Sequence, residues 1–483
     1  MRAFLATSLR HREESRRIMA TLDALSLDYY CSISDTGTLK GQQLFEHNVA
    51  RIAEADLFIA ILKAIGRDVS VEIGIAYALG KQRIGVLYDL EPEDVMPYFA
   101  AGDLVREEGL PAHLRRLCGT SHITFSDFSQ HKLHRFVQGA RGIFASKVFV
   151  EGIYTRDLER ILEERFGRPA IVIGSGTAAL TAALECFLAR DRNEVIVPSL
   201  TFAATIQAII QAGGVPRFVD VSPEDWTIDI PGVRAKLGPR TGAIMPVHLF
   251  GNPCDVETLD AMSEAARVPV VYDSCQAFGA STPKGLIGTF GDAEAFSLDA
   301  TKVLSGVLGG FMTFRDANLA DRARSVKNFG NDADRRTRVR GFNGRMSEFH
   351  ALLACDSCLD VDIRIQGAVA AAAEYRHMLA GIRGVALQVQ RHGVQCPRHL
   401  GVFLRDGDDD VAYRVRDELG HHGIETRIYN SSLLHARGLF TAEDYCLPVT
   451  ESMRARILCL PTHGAVTAKH MATVADVLRR ELR

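Results

Sequence analysis

Several features that would indicate a nucleic-acid partner, a membrane location or secretion are missing from this sequence. The 56 Lys and Arg residues nearly balance the 59 Asp and Glu residues. The resulting net charge of −3 gives no reason to expect a nucleic acid or an anionic membrane as partner. No apolar run reaches transmembrane length, and the N-terminus, MRAFLATSLRHREE, becomes charged too early for a signal peptide. These absences predict a globular, cytoplasmic protein.

Neither disulfides nor metal sites are indicated by the cysteines. The ten cysteines are scattered through mostly apolar segments, which is typical of reduced thiols. Cys355 and Cys358 form the only C-x-x-C, and no second pair accompanies them, so no metal is expected. A Pro/Gly-rich linker is lacking too: residues 125–150 read as a helical connector, which predicts domains that pack together. The length of 483 residues predicts two or three domains.

An acid and a lysine follow short apolar runs in the centre of the chain. Asp273 ends one run, Gln276 follows three residues later, and Lys302 follows the next run. Either charge alone is an ordinary feature of a strand end. Together they suit pyridoxal phosphate (PLP), because the lysine forms a Schiff base with the aldehyde and the acid keeps the pyridine nitrogen protonated. The predicted strands are Val268–Tyr272, Ala293–Leu298 and Gly310–Phe314.

A small-residue turn supplies a possible phosphate site for the same cofactor. Gly174–Thr177 separates the strand-like Ala170–Ile173 from a helical stretch. Unpaired amides and the helix dipole at such a junction attract an anion, although any strand-to-helix turn can contain glycine. Phe202, after a further strand, either stacks on a planar cofactor or belongs to the core.

These segments resemble the sugar aminotransferases of the DegT/DnrJ/EryC1/StrS family, which have the fold-type I PLP transferase fold. The resemblance covers about residues 145–483 and rests on ordered motifs, from G-S-G-T-A-A-L and P-S-L-T-F-A-A-T to S-x-x-x-T-K, G-x-N-x-R-M-S-E and L-P-x-H. It implies a homodimer with shared active sites. The implied roles are the Schiff base and proton transfer for Lys302, the ring nitrogen for Asp273, the ring hydroxyl for Gln276, the ring face for Phe202, the phosphate for Gly176, Thr177 and Ser297, and the partner's phosphate for Asn343.

The resemblance also implies a division of the chain and a substrate class. A large PLP-binding domain is expected over 145–385 and a small α+β domain over 386–483. The substrates would be a keto-sugar or sugar nucleotide and an amino donor, L-glutamate or L-glutamine. The chain departs from the family near the substrate: Leu298-Asp299 replaces the usual Phe-His, and Leu304–Gly310 replaces an acidic, glycine-rich turn.

The first 140 residues predict a separate, small doubly wound domain with a flavodoxin-like parallel sheet, because strands alternate with helices. The run D-x-x-x-E-x-G-x-A-x-A-x-G-K resembles the nucleoside 2-deoxyribosyltransferase superfamily, including its nucleotide N-glycosidase branch. That resemblance implies that Glu72 attacks the anomeric carbon of a nucleoside sugar, while Asp68 orients the sugar or protonates the base. The turn at Ser8 would bind a 5′-phosphate, with Arg10 or Arg12 as the cation.

Three functions fit this sequence. The first is a bifunctional enzyme of secondary metabolism, with an aminotransferase joined to an N-glycosidase or deoxyribosyltransferase. The second keeps the aminotransferase and makes residues 1–140 a non-catalytic, nucleotide-binding regulatory module. The third is a PLP-fold sensor without catalysis, against which the complete lysine and acid constellation argues.

Overall fold

The chain forms two compact units, Met1–His122 and Ile123–Arg483. The structure, a computed structural model, describes residues 2–6, 12–24, 28–32, 41–62, 76, 81–87, 104–106, 110, 130–429 and 432–482. None of the helices in these ranges is both long and apolar enough to span a membrane.

A parallel sheet organises the described part of the first unit. The strands are β1 (Arg2–Ala6), β2 (Asp28–Cys31), β3 (Leu57–Leu62), β4 (Gln82–Leu87) and β5 (Leu104–Arg106), with helices α1 (Arg12–Ala24) and α2 (Gly41–Glu54). The strands lie in the order β2-β1-β3-β4-β5, and every neighbouring pair is parallel. Phe4 and Phe58, from adjacent strands, stack at 5.7 Å and are fully buried.

The second unit contains a larger mixed sheet. The strands are β6 (Ala170–Ile173), β7 (Glu194–Pro198), β8 (Val215–Val219), β9 (Thr241–Ile244), β10 (Val271–Asp273), β11 (Ser281–Thr282), β12 (Gly285–Leu286), β13 (Ala293–Ser297) and β14 (Gly310–Phe314). A three-stranded parallel group, β8-β7-β9, continues into a four-stranded group, β10-β13-β14-β6, through parallel bridges of Ile244 with Val270 and Val247 with Asp273. Only β14 runs antiparallel to its neighbours within the second group.

Helices cover this sheet. The aromatic core beneath one face includes Phe296 and Phe311, stacked at 4.5 Å, with Phe166 and Phe278 against them. The helices are α3 (Gln130–Ser146), α4 (Ile153–Phe166), α5 (Gly176–Glu185), α6 (Ala203–Gln211), α7 (Ile230–Lys236), α8 (Val256–Ala266), α9 (Ala317–Lys327), α10 (Glu348–Cys358) and α11 (Val361–Leu379).

A smaller sheet follows, with the elements β15 (Val385–Leu387), β16 (His399–Leu404), α12 (Val411–His421), β17 (Arg427–Tyr429), α13 (Pro448–Ser452), β18 (Ile457–Pro461) and α14 (Ala468–Glu481). The sheet is antiparallel, and its strands lie in the order β15-β16-β18-β17. Tyr375 and Leu379 of α11 also pack in its core, so the long helix joins the two sheets of this unit.

The glutamate of the R-M-S-E motif closes the start of α4. Glu348 is 1% exposed, and its carboxylate accepts hydrogen bonds from the amides of Gly152, Tyr154 and Thr155 and from the Thr155 hydroxyl. The first amides of a helix lack partners within it, so this carboxylate satisfies donors that would otherwise be buried unpaired. The motif therefore has a structural reason that its sequence does not reveal.

We expect Glu348→Ala to lower the free energy of unfolding of this unit by about 3 kcal/mol or more, because several buried donors lose their acceptor. Urea unfolding monitored by circular dichroism measures the loss. Glu264→Ala, which removes an exposed glutamate on α8, is the matched control and should leave the midpoint unchanged. Equal midpoints for the Glu348 variant and the wild type would refute the capping role.

Candidate active site

Four strands direct their carboxyl ends toward one cavity of about 470 Å³. The segments after β6, β7, β10 and β13 carry most of its walls, and β17 of the small sheet closes one side. Ligands of such sheets bind at this edge. The lining residues that the sequence predicted are Gly176, Thr177, Phe202, Asp273, Gln276, Ser297 and Lys302.

The start of α5 forms an anion cradle against β13. The hydroxyl of Ser175 accepts the amide of Ala178 at 3.1 Å, which fixes the first turn of the helix. A Cβ on Gly176 would lie 2.9 Å from the Cβ of Ser297 and 3.1 Å from the sulfur of Cys275. The close approach leaves no room for a side chain at position 176, and it places Ser297 beside the first turn of α5, whose amides can bind a phosphate group.

We expect Gly176→Ala to weaken PLP binding about tenfold or more, because the added methyl group pushes the helix start away from β13. Titration of the apo-protein with PLP, followed by absorbance, measures the dissociation constant. Gly142→Ala is the control: this helical glycine has open space around it, so its variant should bind PLP as the wild type does. Unchanged affinity of the Gly176 variant would contradict the cradle.

Two hydrogen bonds orient the carboxylate of Asp273. Its Oδ2 accepts the Thr205 hydroxyl at 2.7 Å, and its Oδ1 accepts the Cys275 amide at 3.1 Å. Thr205 is held in turn by the Thr201 hydroxyl at 2.7 Å. Asp273 is 5% exposed and lines the cavity. Thr205 lies one turn beyond Phe202 on α6, and that spacing in P-S-L-T-F-A-A-T is the signal that could have predicted its role.

A tight turn after β13 presents Lys302. The carboxylate of Asp299 accepts the amide of Thr301 at 2.9 Å and its hydroxyl at 2.6 Å, and the Lys302 amide donates to the Asp299 carbonyl at 2.9 Å. Arg398, the residue before β16, donates from Nε to the Thr301 carbonyl at 3.0 Å. The departure from the family at Leu298-Asp299 thus has a local function, since the aspartate side chain closes the turn that carries the lysine.

The cavity wall also combines aromatic and titratable side chains. Phe202 is 63% exposed, as a ring that stacks on a ligand would be, and Gln276 Oε1 accepts the Phe250 amide at 2.9 Å. Burial raises the pKa of Tyr429. Burial, followed by the positive charge of Lys302, lowers the pKa of His399 well below its ordinary value. Both groups are therefore uncharged near neutral pH.

Some predicted residues lie elsewhere. Asn343 is exposed, accepts a hydrogen bond from Arg345 Nε at 3.1 Å, and is not part of the cavity wall of its own chain. The predicted residues of the first unit, Ser8, Arg10, Asp68 and Glu72, lie outside the described residues, as does the side chain of Arg12. In the described ranges, no group of three or more His, Cys, Asp or Glu side chains is placed to hold a metal ion.

The donor set of the cavity suits PLP. A helix N-terminus with Ser297 suits the phosphate, the oriented carboxylate of Asp273 suits a protonated ring nitrogen, and Lys302 supplies an amine for the aldehyde. The exposed ring of Phe202 offers a flat surface for the pyridine. The phosphate, the ring nitrogen, the aldehyde and the ring face thus each have a counterpart in the cavity wall.

Comparisons with known proteins agree over this unit. Residues 132–479 match the DegT/DnrJ/EryC1/StrS aminotransferase family. The chain is 32% identical over 311 residues (64% of this chain, 83% of the relative) to a UDP-N-acetyl-3-dehydro-alpha-D-glucosamine 3-aminotransferase of Acidithiobacillus ferrooxidans. It is 30% identical over 346 residues (70% of this chain, 92% of the relative) to a dTDP-3-amino-3,4,6-trideoxy-alpha-D-glucose transaminase of Micromonospora megalomicea.

Solved structures agree with the fold. A DegT DnrJ EryC1 StrS aminotransferase from Brucella abortus superimposes with a TM-score of 0.69 at 25% identity, covering 75% of this chain and 100% of that one. The structure of DesI with its TDP-sugar product gives a TM-score of 0.67 at 29% identity, covering 77% and 96%. The expectation of a fold-type I transferase is confirmed for the second unit. The chain belongs to the DegT/DnrJ/EryC1/StrS aminotransferase family, and its cofactor is pyridoxal 5′-phosphate.

Proposed function

We propose that the second unit transfers an amino group from L-glutamate or L-glutamine to a keto-sugar carried by a nucleotide. The observation that carries this proposal is that Lys302, the oriented Asp273 and the start of α5 line the same cavity. PLP supplies an aldehyde that exchanges amines and a ring that accepts electrons. The amino sugars in the names of the two relatives above support a nucleotide-linked sugar as substrate.

The residues of the cavity divide the work. The amine of Lys302 binds the cofactor and then moves protons between the reacting carbons, as a general base and acid. With the cofactor bound, Asp273 would keep the ring nitrogen protonated, and Gln276 would serve the ring hydroxyl. The helix amides at Gly176 and Thr177 would hold the phosphate with the hydroxyl of Ser297, and Phe202 would cover a face of the ring. Exposed Arg427, at the mouth, suits the carboxylate of an amino donor.

A two-step assay tests the proposal. PLP-loaded protein is mixed with L-glutamate or L-glutamine, and loss of the visible absorbance band reports the first half-reaction. Nucleotide-linked keto-sugars are then added, and mass spectrometry detects an aminated product with return of the band. A stable band with every amino donor would reject the aminotransferase and leave the non-catalytic sensor.

We also propose a homodimer in which Asn343 completes the partner's phosphate site. Phe144, Phe149 and Phe349 form one aromatic cluster with ring separations of 5.7–6.3 Å. Phe144 is 64% exposed and Ile153 is 60% exposed, an apolar surface that a second copy would cover. Asn343 is exposed and outside its own chain's cavity, which suits a role in another chain.

Hybrid dimers test the shared site. Lys302→Ala and Asn343→Ala chains, each weak alone, are co-expressed with different tags and purified as a mixed dimer. One of the two sites in that dimer has both intact residues, so activity above that of either parent is expected. Activity no higher than the parents', or an active monomer by light scattering, would remove Asn343 from the site.

For the first unit we propose a nucleotide N-glycosidase or deoxyribosyltransferase activity. The parallel order β2-β1-β3-β4-β5 supports it, because the order reverses between the adjacent strands β1 and β3, where ligands of flavodoxin-like sheets bind. In sequence, Ser8, Arg10 and Arg12 follow β1, whereas Asp68 and Glu72 follow β3. Both groups therefore succeed strands that end at the same edge of the sheet.

Chromatography of nucleosides and nucleotides after incubation with the protein tests this activity. If Glu72 is the nucleophile, the protein releases free base from a nucleoside or nucleotide, and Glu72→Ala abolishes the release without changing transamination. If an arginine binds a 5′-phosphate, monophosphates react faster than nucleosides. Nucleotide binding without released base would favour the alternative, a regulatory module.

A further inference from the structure

A buried acid lies directly behind the turn that carries Asp273. Glu294 lies within β13, is fully buried and is not part of the cavity wall. Its register partner in the parallel neighbour β10 is Tyr272, the residue before Asp273. A carboxylate in the core is costly unless donors surround it. This acid therefore requires a reason beyond packing.

Three donors converge on the Glu294 carboxylate. Oε1 accepts the amides of Gly288 at 2.8 Å and Phe290 at 2.7 Å, and Oε2 accepts the hydroxyl of Ser274 at 2.7 Å. Burial raises the pKa of Glu294 to about 7, against the opposing effects of these donors and of the positive charge of Arg168. One oxygen thus fixes the loop between β12 and β13, and the other fixes the turn after β10.

Ser274 connects this acid to the site. The side chains of its neighbours, Asp273 and Cys275, face the cavity, whereas Ser274 is fully buried against Glu294. The amide of Ser274 donates to the Ala295 carbonyl at 2.9 Å, and its carbonyl accepts the Ala277 amide at 2.9 Å. The turn that sets the Asp273 side chain is therefore anchored on the core side through this serine.

We propose that Glu294, acting through Ser274, positions the Asp273 carboxylate against the ring nitrogen of the cofactor. The inference rests on the role of Asp273 in the proposed function. Glu294 is a positioning residue, since it touches neither the cavity nor any reacting atom. The hydroxyl of Ser274 separates this role from loop packing, because removing it leaves both bonds of Glu294 to the loop intact.

Ser274→Ala in the PLP-loaded enzyme is the main test. We expect kcat, the limiting rate constant of the half-reaction with L-glutamate, to fall about three- to tenfold, the effect of one lost hydrogen bond. KM, the L-glutamate concentration that gives half of that rate, should change less than about twofold. The pH at which the visible band of the lysine-bound cofactor changes should rise by about 0.5 unit. A ring nitrogen held less firmly in its protonated form withdraws fewer electrons from the nitrogen of Lys302.

Two further variants separate positioning from packing. Thr313→Val removes a hydroxyl that donates to the Gly288 carbonyl at 2.8 Å, in the same loop but not in the turn. It should lower the melting temperature without moving the pH of the band. Glu294→Gln should recover most of the kcat that Glu294→Ala loses, because its amide oxygen accepts from the loop while its NH₂ donates to Ser274.

The outcomes distinguish the two proposals. A Ser274→Ala enzyme with wild-type kcat and band pH overturns the inference, provided that Asp273→Asn changes both. If Asp273→Asn also changes neither, the role of Asp273 itself is wrong, and the proposed function of the site falls first. PLP affinity of the apo-proteins, measured by titration, provides a readout independent of turnover.

Discussion

Replacing Lys302 by alanine is expected to abolish transamination and remove the visible band of the covalently held cofactor. The loss should be on the order of 10⁴-fold or more, because one amine both binds the cofactor aldehyde and moves the protons. Among the described residues that line the cavity, Lys302 is the only lysine, so no other side chain there carries a primary amine for the aldehyde. Absorbance of the purified variant, and amino transfer from L-glutamate followed by mass spectrometry, measure both effects.

Two controls separate lost chemistry from lost structure. Lys302→Arg keeps a positive charge but cannot form the bond to the aldehyde, so it should be as inactive as the alanine variant. Lys284→Ala removes an exposed lysine and should leave colour and rate unchanged. The assignment is wrong if Lys302→Ala keeps a PLP band that borohydride reduction attaches to the protein.

The sequence could bring the residues predicted for the cofactor together because they stand beside strand ends. Asp273, Ser297 and Lys302 end or follow short apolar runs, and neighbouring parallel strands bring their carboxyl ends together. The expected strand Gly310–Phe314 is β14 itself, and the expected Ala293–Leu298 is β13 with one residue more. The expected Val268–Tyr272 is less accurate, because β10 begins only at Val271 and includes Asp273. Local pattern and tertiary position agree in this region.

The local sequence pattern does not indicate which residues of the small sheet reach the cavity. His399 begins β16 and Arg427 begins β17, and only the packing of that sheet places them at the cavity. The hydrogen-bond partners of buried acids could not be predicted for the same reason, because tertiary packing brings them together. Nothing in A-E-A-F-S shows that amides from residues 288 and 290 will reach Glu294, and nothing in R-M-S-E shows a helix start against Glu348.

Asp273→Asn is expected to reduce kcat about 10²–10³-fold while the protein still folds and binds PLP. The asparagine is nearly isosteric and can still accept a hydrogen bond from Thr205 or from the Cys275 amide, so the turn should survive. Its amide carries no charge and cannot hold the ring nitrogen protonated, so the ring accepts electrons poorly. Stopped-flow absorbance of the half-reaction with L-glutamate measures the rate, and thermal unfolding monitors the fold.

A second acid provides the matched control. Asp260 on α8 is partly buried and accepts the Tyr272 hydroxyl at 2.9 Å, but it does not line the cavity. Asp260→Asn should change the melting temperature more than the half-reaction rate, whereas Asp273→Asn should do the reverse. If both variants lose rate and stability in parallel, Asp273 serves only to hold its turn. If Asp273→Asn is instead slow but stable, the lost property is the negative charge of Asp273 beside the ring nitrogen.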